Sequence, residues 1–371
     1  MSAVLEGVRG KRTPLTFRLP VEEREHLTSA ADPFVLASAF HLMEAGTDLE
    51  VHGAVSPSLL RGLEEVQAAW QRWKPGRYRP FSVQADLERE EAREPSGQTV
   101  MTFSGGLDSC CTAWRHTRGD LGRRKRKIEA AVMVHGFDIP LEQDEVFNRA
   151  VETSRTILGS IGIPVVPMVS NIRTLGGQWE DVHGAALAAC LHLLAGGYST
   201  GLVASSHVYE TLRFPWGSNP VTDPMLSSAA FSIVQDGCEL TRWEKADEVG
   251  DWEAARHHLR LCWEGEHLDR NCGSCMRCVG TAFCFAAVGR PIPPSIPIPS
   301  PAEALRRLRA LEPSPVQLGH FENMVAEARR RALDDPWVAA LDELVRGRRP
   351  VAPKRGLGAW AGLRRKLRRR P

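Results

Sequence analysis

An α/β fold with a doubly wound parallel sheet is predicted by two observations. Between residues 98 and 250, short β-branched and apolar runs alternate with helical ones, the βαβα order that places parallel strands in one sheet. The first of these runs, Thr99–Phe103, is apolar in the manner of a strand covered on both faces, and it passes directly into Ser104-Gly105-Gly106. Two adjacent glycines let backbone N–H groups point into a shared concavity, and a helix that follows adds its positive end. Ser104, Asp108 and Ser109 put two hydroxyls and a carboxylate at the rim. Such a loop is built to hold an anion, and a nucleotide's phosphates are the natural occupant. No Gly-Lys-Ser/Thr follows, so it is not the Walker pattern.

Residues 1–95 read as a small α+β unit ahead of this sheet. Leu15–Leu19 alternates like a strand, Asp32-Pro33 opens a helix over Phe34–Glu44, and Asp48–His52 is a second strand. Ser56-Pro57 opens a helix over Ser58–Trp73, in which Leu59, Leu63, Val66 and Trp70 recur at helical spacing as a core stripe. Phe81–Ala85 is a third strand, and the charged run Asp86–Glu94 with Pro95-Ser96-Gly97 reads as a linker.

Residues 96–250 form the nucleotide-binding domain. The loop's helix runs from about Cys110 to Arg118, and Arg123–Lys127 is an exposed basic turn. Ala130–His135 is a strand, Asp144–Leu158 a helix, Pro164–Val169 a strand, Glu180–Leu194 an apolar helix and Thr200–Ser205 a fourth strand. Ligands of such sheets bind beyond the carboxyl ends of the strands, where Ser104–Ser109, His135–Asp138 and Ser205–Tyr209 fall. Phe214–Pro224 holds three prolines and a glycine, an irregular segment suited to a lid or binding loop; Asp223 closes it. Gln235-Asp236-Gly237 makes a turn before Leu240-Thr241-Arg242-Trp243-Glu244-Lys245.

Residues 251–295 carry Cys262, Cys272, Cys275 and Cys278, a C-x9-C-x2-C-x2-C pattern with Gly273 at a tight turn. Thiolates so spaced suit a tetrahedral zinc site, with an iron–sulfur cluster as the other metal reading; four cysteine ligands leave no open position for catalysis. Cys190 and Cys284 lie among apolar residues and read as core, as do Cys110 and Cys111.

Nine cysteines without a signal sequence indicate a reducing, cytoplasmic setting, and no apolar run approaches the roughly 18 residues of a membrane span. The net charge of +2 conceals an uneven distribution: the last 28 residues hold eleven Lys/Arg and no carboxylate, so the rest is net acidic. An acidic body is a poor nucleic-acid grip.

The six residues Ser104-Gly105-Gly106-Leu107-Asp108-Ser109 resemble the Ser-Gly-Gly-x-Asp-Ser loop of the PP-loop ATP pyrophosphatases. That resemblance implies an adenine nucleotide alpha hydrolase-like, Rossmann-like domain that splits ATP between its α and β phosphates. It implies AMP placed on a substrate oxygen and then displaced by a nitrogen or sulfur nucleophile. Leu240–Lys245 resembles the late Thr-Lys-x-Glu segment of these enzymes, with Arg242 in place of the lysine and Lys245 one turn on. With the four cysteines, the likeness narrows to 7-cyano-7-deazaguanine synthase and its relatives, over roughly residues 98–290. Those enzymes adenylate a ring carboxylate, form its amide with ammonia and dehydrate the amide to a nitrile. The chain departs from them in its N-terminal unit, its C-terminal segment, a first cysteine gap one residue longer, and the Trp216–Pro224 loop.

The resemblance implies ATP and Mg²⁺ beside zinc. Asp108, Arg242 and Lys245 would be catalytic. Ser104, Gly105, Gly106, Leu107, Asp108 and Ser109 would hold the nucleotide, with Val134, His135, Ser205 and Asp223 beyond the neighbouring strand ends. Asp108→Ala should then abolish turnover with the fold intact. The acceptor would be a small-molecule or modified-nucleobase-like acid. Two other readings share the loop: a thiolase of RNA bases, which needs a persulfide cysteine or an iron–sulfur cluster, and a non-catalytic nucleotide-binding module.

Residues 296–346 follow a proline-rich connector and read as helices over Ala302–Leu311, His320–Leu333 and Pro336–Arg346. Residues 347–371 form a basic tail with Leu357, Trp360, Leu363 and Leu367 interleaved. It is either a solvated tail or a contact for RNA, an anionic membrane surface or an acidic protein. A homodimer is a further expectation.

Overall fold

The computed structural model describes residues 1–7, 12–91, 97–212 and 214–348. The basic tail from 349 onward, with Leu357, Trp360, Leu363 and Leu367, lies outside them. The N-terminal elements are β1 (Ser2–Leu5), β2 (Thr13–Arg18), α1 (Asp32–Ala45), β3 (Leu49–Val55), α2 (Pro57–Trp73) and β4 (Val83–Glu88). The alternating region comprises β5 (Thr99–Thr102), α3 (Leu107–Arg118), β6 (Ile128–His135), α4 (Asp144–Gly159), β7 (Val165–Ser170), α5 (Trp179–His192), β8 (Thr200–Ala204) and β9 (Ser232–Asp236). Helices complete the described chain: α6 (Arg242–Val249), α7 (Glu253–His258), α8 (Met276–Ala287), α9 (Pro301–Arg309), α10 (Pro315–Arg330) and α11 (Pro336–Arg348).

Seven strands form one mostly parallel sheet in the order β1-β2-β7-β6-β5-β8-β9, and β3 and β4 pair as a separate parallel ribbon. The five strands from β5 to β9 are mutually parallel. The chain steps outward from β5 to β7 and then crosses to β8 on the other side. The loop after β5 therefore opens at the switch point, where such sheets bind ligands.

Successive residues of a strand face opposite sides, and here they feed two cores. Met101, Ala131, Met133 and Leu202 pack with α3, α4, α6 and the C-terminal helices. Val100, Val132, Val166, Val203 and Ile233 pack with α1, α2 and α5. The N-terminal and C-terminal segments thus cover opposite faces of the same sheet, and the boundaries read at 95 and 295 do not separate cores.

Several local expectations are corrected. Residues 1–95 join the central sheet through β2, which runs antiparallel to β7. Asn171 clamps that pairing, accepting from Thr16 N at 2.8 Å and donating Nδ2 to the Pro14 carbonyl at 2.7 Å. On the other side, Lys74 Nζ pairs with the buried Asp181 of α5 at 2.6 Å, and Tyr78 OH donates to the same carboxylate at 2.8 Å. Asp86 belongs to β4, not to a linker, since Ala85 and Leu87 pair with β3. Asp32 lies inside α1 and accepts from Ser56 N at 2.9 Å instead of capping the helix. Ser232–Asp236 is a fifth parallel strand, where the sequence showed only the turn that follows at Gly237; short and at the sheet edge, it shows little apolar alternation.

The C-terminal helices pack onto α8, with Phe283 against Phe321 and Trp337 at ring distances of 5.8 and 5.6 Å. Arg307 of α9 donates to the carbonyls of Gly273 and Pro297 at 2.9 and 2.8 Å, which ties the extension to the cysteine-bearing turn. No helix among the described residues is long and apolar enough to cross a membrane.

Candidate functional site

The loop after β5 turns through Gly105, whose φ of +75° is the left-handed region that glycine adopts without strain. A Cβ there would also press on Arg260 at 3.3 Å. Helix α3 starts at Leu107, three residues earlier than the sequence suggested. Leu107, Asp108 and Ser109 therefore form its first turn, and their N–H groups have no carbonyl of their own helix to bond. Ser109 Oγ braces the turn, donating to the Gly106 carbonyl at 3.1 Å and accepting from Ser104 N at 3.3 Å.

Asp108 is held between two cations. Arg242 Nη1 lies 2.9 Å from one carboxylate oxygen and Lys245 Nζ 3.2 Å from the other. Burial opposes the charge, but the Lys245 and Arg242 cations outweigh it and hold the carboxyl at about 2. Both cations are aimed by a capping box at the start of α6. Thr241 Oγ1 accepts from Glu244 N, and the Glu244 carboxylate accepts from Thr241 N at 2.7 Å. The Thr-x-x-Glu spacing thus sets Arg242 and Lys245 one turn apart on the face that meets the loop. Lys245 is buried and also donates to the Ser205 carbonyl at the end of β8.

Two further arginines reach the same place. Arg260 bonds the loop backbone twice, N to the Gly105 carbonyl at 2.8 Å and Nε to the Ser104 carbonyl at 3.1 Å, and pairs with Asp138 at 3.3 Å. Arg277 stands near Arg242, Asp108 and Asp138; burial first, then Arg242, push its guanidinium down to about 10. Arg242, Lys245, Arg260 and Arg277 thus face two carboxylates, a surplus of cationic charge at the positive end of α3.

A chain of polar contacts runs outward from Lys245. Cys238 Sγ lies 3.1 Å from Ser205 Oγ and 2.9 Å from Gln235 Oε1. Gln235 Nε2 donates to Asp223 at 3.1 Å, and Asp223 also accepts from Ser218 Oγ at 2.6 Å and Asn219 N at 3.0 Å. Asp223 is therefore the buried hub of the Phe214–Pro224 segment. That segment lies directly on α5: Gly217 N donates to the Glu180 carbonyl at 2.7 Å, and a Cβ on Gly184 would meet the Gly217 carbonyl at 2.0 Å. Beside it runs a row of rings, Phe137, Trp179, His183, Trp216 and His207, with neighbouring centroids 4.9 to 6.1 Å apart. The Trp216 indole N–H is buried and without a partner among the described residues.

Burial raises the Asp223 carboxyl to about 7 against the opposing hydrogen bonds. An unfolded Asp223 ionises near 3.8, so the folded form loses relative stability as pH rises from there to about 7, by on the order of 4 kcal/mol. Asp223→Asn removes that titration. In thermal melts the variant should gain on the wild type steadily from pH 4 to pH 7 and level off above; a difference that does not change with pH would contradict this.

Val134 and His135 do not share in the site as the sequence suggested. Val134 packs against the core on the α1 and α5 side. His135 is buried, donates Nε2 to the Pro140 carbonyl at 2.8 Å and stacks on Phe147 at 4.4 Å. Its ring is committed to holding the turn after β6.

The four cysteines come together. Their sulfurs lie within 4.8 Å of one another, Cys262 to Cys272 at 3.4 Å and to Cys275 at 3.7 Å. Tetrahedral Zn–S bonds of about 2.3 Å put sulfurs roughly 3.8 Å apart, so this group can hold a metal such as zinc. Ser274 N and Cys275 N donate to Cys272 Sγ, and Cys278 N to Cys275 Sγ, at 3.3 to 3.5 Å, as thiolate ligands require. Cys110 and Cys111 are buried on α3; burial raises both thiols, Cys111 to about 12, as for core residues. Arg260 and Arg277 carry no motif of their own; their positions, two before Cys262 and between Cys275 and Cys278, are the signal that could have found them.

Comparison with known protein families, curated proteins and solved structures gives no match to this chain.

Proposed function

We propose that the chain is an ATP-dependent ligase of the PP-loop type. The observation that carries this is the Ser104–Ser109 loop at the switch point, with Asp108 neutralised between Arg242 and Lys245 and cationic charge left over. The loop N–H groups and hydroxyls would bind the β and γ phosphates of ATP, and Mg²⁺, when bound with it, would offset phosphate charge. A substrate carboxylate or amide oxygen would attack the α phosphorus, the α–β bridge would break and pyrophosphate would leave. A nitrogen nucleophile would then attack the activated carbon and release AMP. The residues act by alignment and by offsetting charge on the leaving pyrophosphate, the task of Arg242 and Lys245.

The row of rings from Phe137 to His207 would lie against a planar, nucleobase-like acid, and the Trp216 N–H would be free to donate to it. The bound zinc would be structural. The raised thiols of Cys110 and Cys111 speak against sulfur transfer. Incubation with ATP, Mg²⁺ and a small-molecule cell extract, resolved by nucleotide chromatography, should yield AMP and pyrophosphate. Formation of ADP and phosphate would overturn the proposal.

A further inference from the structure

Arg277 sits in the first turn of α8, between two of the clustered cysteines. Its guanidinium carbon lies 3.1 Å from the centroid of the Trp263 ring, next to Cys262. Among the described residues it makes no hydrogen bond or salt bridge: the carboxylates near it, Asp108 and Asp138, are paired with Arg242 and Lys245 and with Arg260. Four residues on, Thr281 accepts from Arg242 Nη2 at 3.3 Å. Residues four apart share a helix face, so Arg277 projects from the face of α8 that meets the loop site. There one cation stands beside another, and the nearby Asp108 is already engaged by Arg242 and Lys245. The guanidinium lies over the indole, and none of its N–H groups is hydrogen-bonded among the described residues.

We propose that Arg277, held flat on Trp263, is a pyrophosphate ligand of this site. It would donate bidentately to the oxygens of the phosphates that leave, an arrangement to which a guanidinium is suited. Four cations facing two carboxylates call for an anion of several charges, which pyrophosphate supplies and a single further carboxylate does not. The proposal rests on the phosphate-loop reading given above.

Calorimetric titration with inorganic pyrophosphate tests it. Arg277→Gln should weaken binding about tenfold to a hundredfold. Arg277→Lys should recover only part of the loss, since it restores the charge without the fork, and Trp263→Ala should weaken binding less than Arg277→Gln. Metal content and melting temperature should match the wild type. If Arg277→Gln binds like the wild type while Ser109→Ala does not, the Arg277 assignment falls and the phosphate loop stands. If the wild type binds neither pyrophosphate nor ATP, both fall. Should Arg277→Gln lose metal, Trp263→Ala decides, because it keeps every cysteine and the charge; unchanged affinity there overturns the proposal.

Discussion

Cys275→Ser is expected to strip the chain of most of its zinc and to lower its melting temperature by about 10 °C or more. Structural zinc binds small folded units with on the order of 10 kcal/mol, comparable to the whole stability of a domain. Cys275 has two tasks here, since its sulfur also accepts from Cys278 N at the start of α8. That helix is buried between α6 and the C-terminal helices, so its first turn cannot loosen without disturbing both. Asn271 braces the same turn, accepting from Leu261 N at 2.7 Å and donating to the Leu259 and Ser295 carbonyls at 2.8 Å. Activity should fall with the metal even though no loop residue is changed, because Arg260, two residues before Cys262, and Arg277, between Cys275 and Cys278, both stand beside the clustered cysteines. Elemental analysis should give one zinc per wild-type chain and much less in the variant. A variant with full zinc and unchanged melting would show that the cysteines hold no shared metal. Glu266→Ala, at an exposed position between Cys262 and Cys272, is the control that should retain both.

Asp108→Ala is expected to abolish turnover and also to destabilise the protein, contrary to the expectation that the fold would be untouched. Lys245 is buried, and Asp108 is its one carboxylate partner among the described residues. Removing one member of a buried pair typically costs about 3–5 kcal/mol, since the other charge is left without compensation. Turnover should fall by at least about a hundredfold, the usual effect of losing one aligned charge contact. Adding Lys245→Met should restore much of the stability and none of the activity, a non-additivity readable by urea denaturation beside AMP formation. Equal stability of Asp108→Ala and wild type would sink the argument. The pH sign follows from the depressed carboxyl. Its stabilisation is complete above the unfolded value near 3.8 and is lost as pH falls toward 2.

The loop, the cysteine cluster and the start of α6 are legible in the sequence because each is local. Ser104–Ser109 is one turn, Cys272 to Cys278 span seven residues, and Thr241 with Glu244 is a capping box written in four. What is not legible depends on distant partners. β2 reaches the sheet by pairing with β7 about 150 residues away, and nothing in Leu15–Leu19 announces that neighbour. Arg260 is a lone cation between leucines until the fold brings it to the Gly105 carbonyl. His135 misleads for the opposite reason: its place at a strand end is right for a ligand contact, but Pro140 and Phe147, close in sequence, occupy it.

The close seating of the Phe214–Pro224 segment on α5 has a kinetic consequence. Gly184 and Gly217 are in close backbone approach, and Asp223 is bonded by Ser218, Asn219 and Gln235, so the segment is pinned to α5 and β9. On the ligase reading, such seating would oppose induced fit by closure of this loop. On that reading, discrimination between acceptors would come from the resting outline of the wall. A compound of the wrong shape would be turned away at first encounter, and selectivity would change through the side chains on that wall rather than through the length of the segment that carries them.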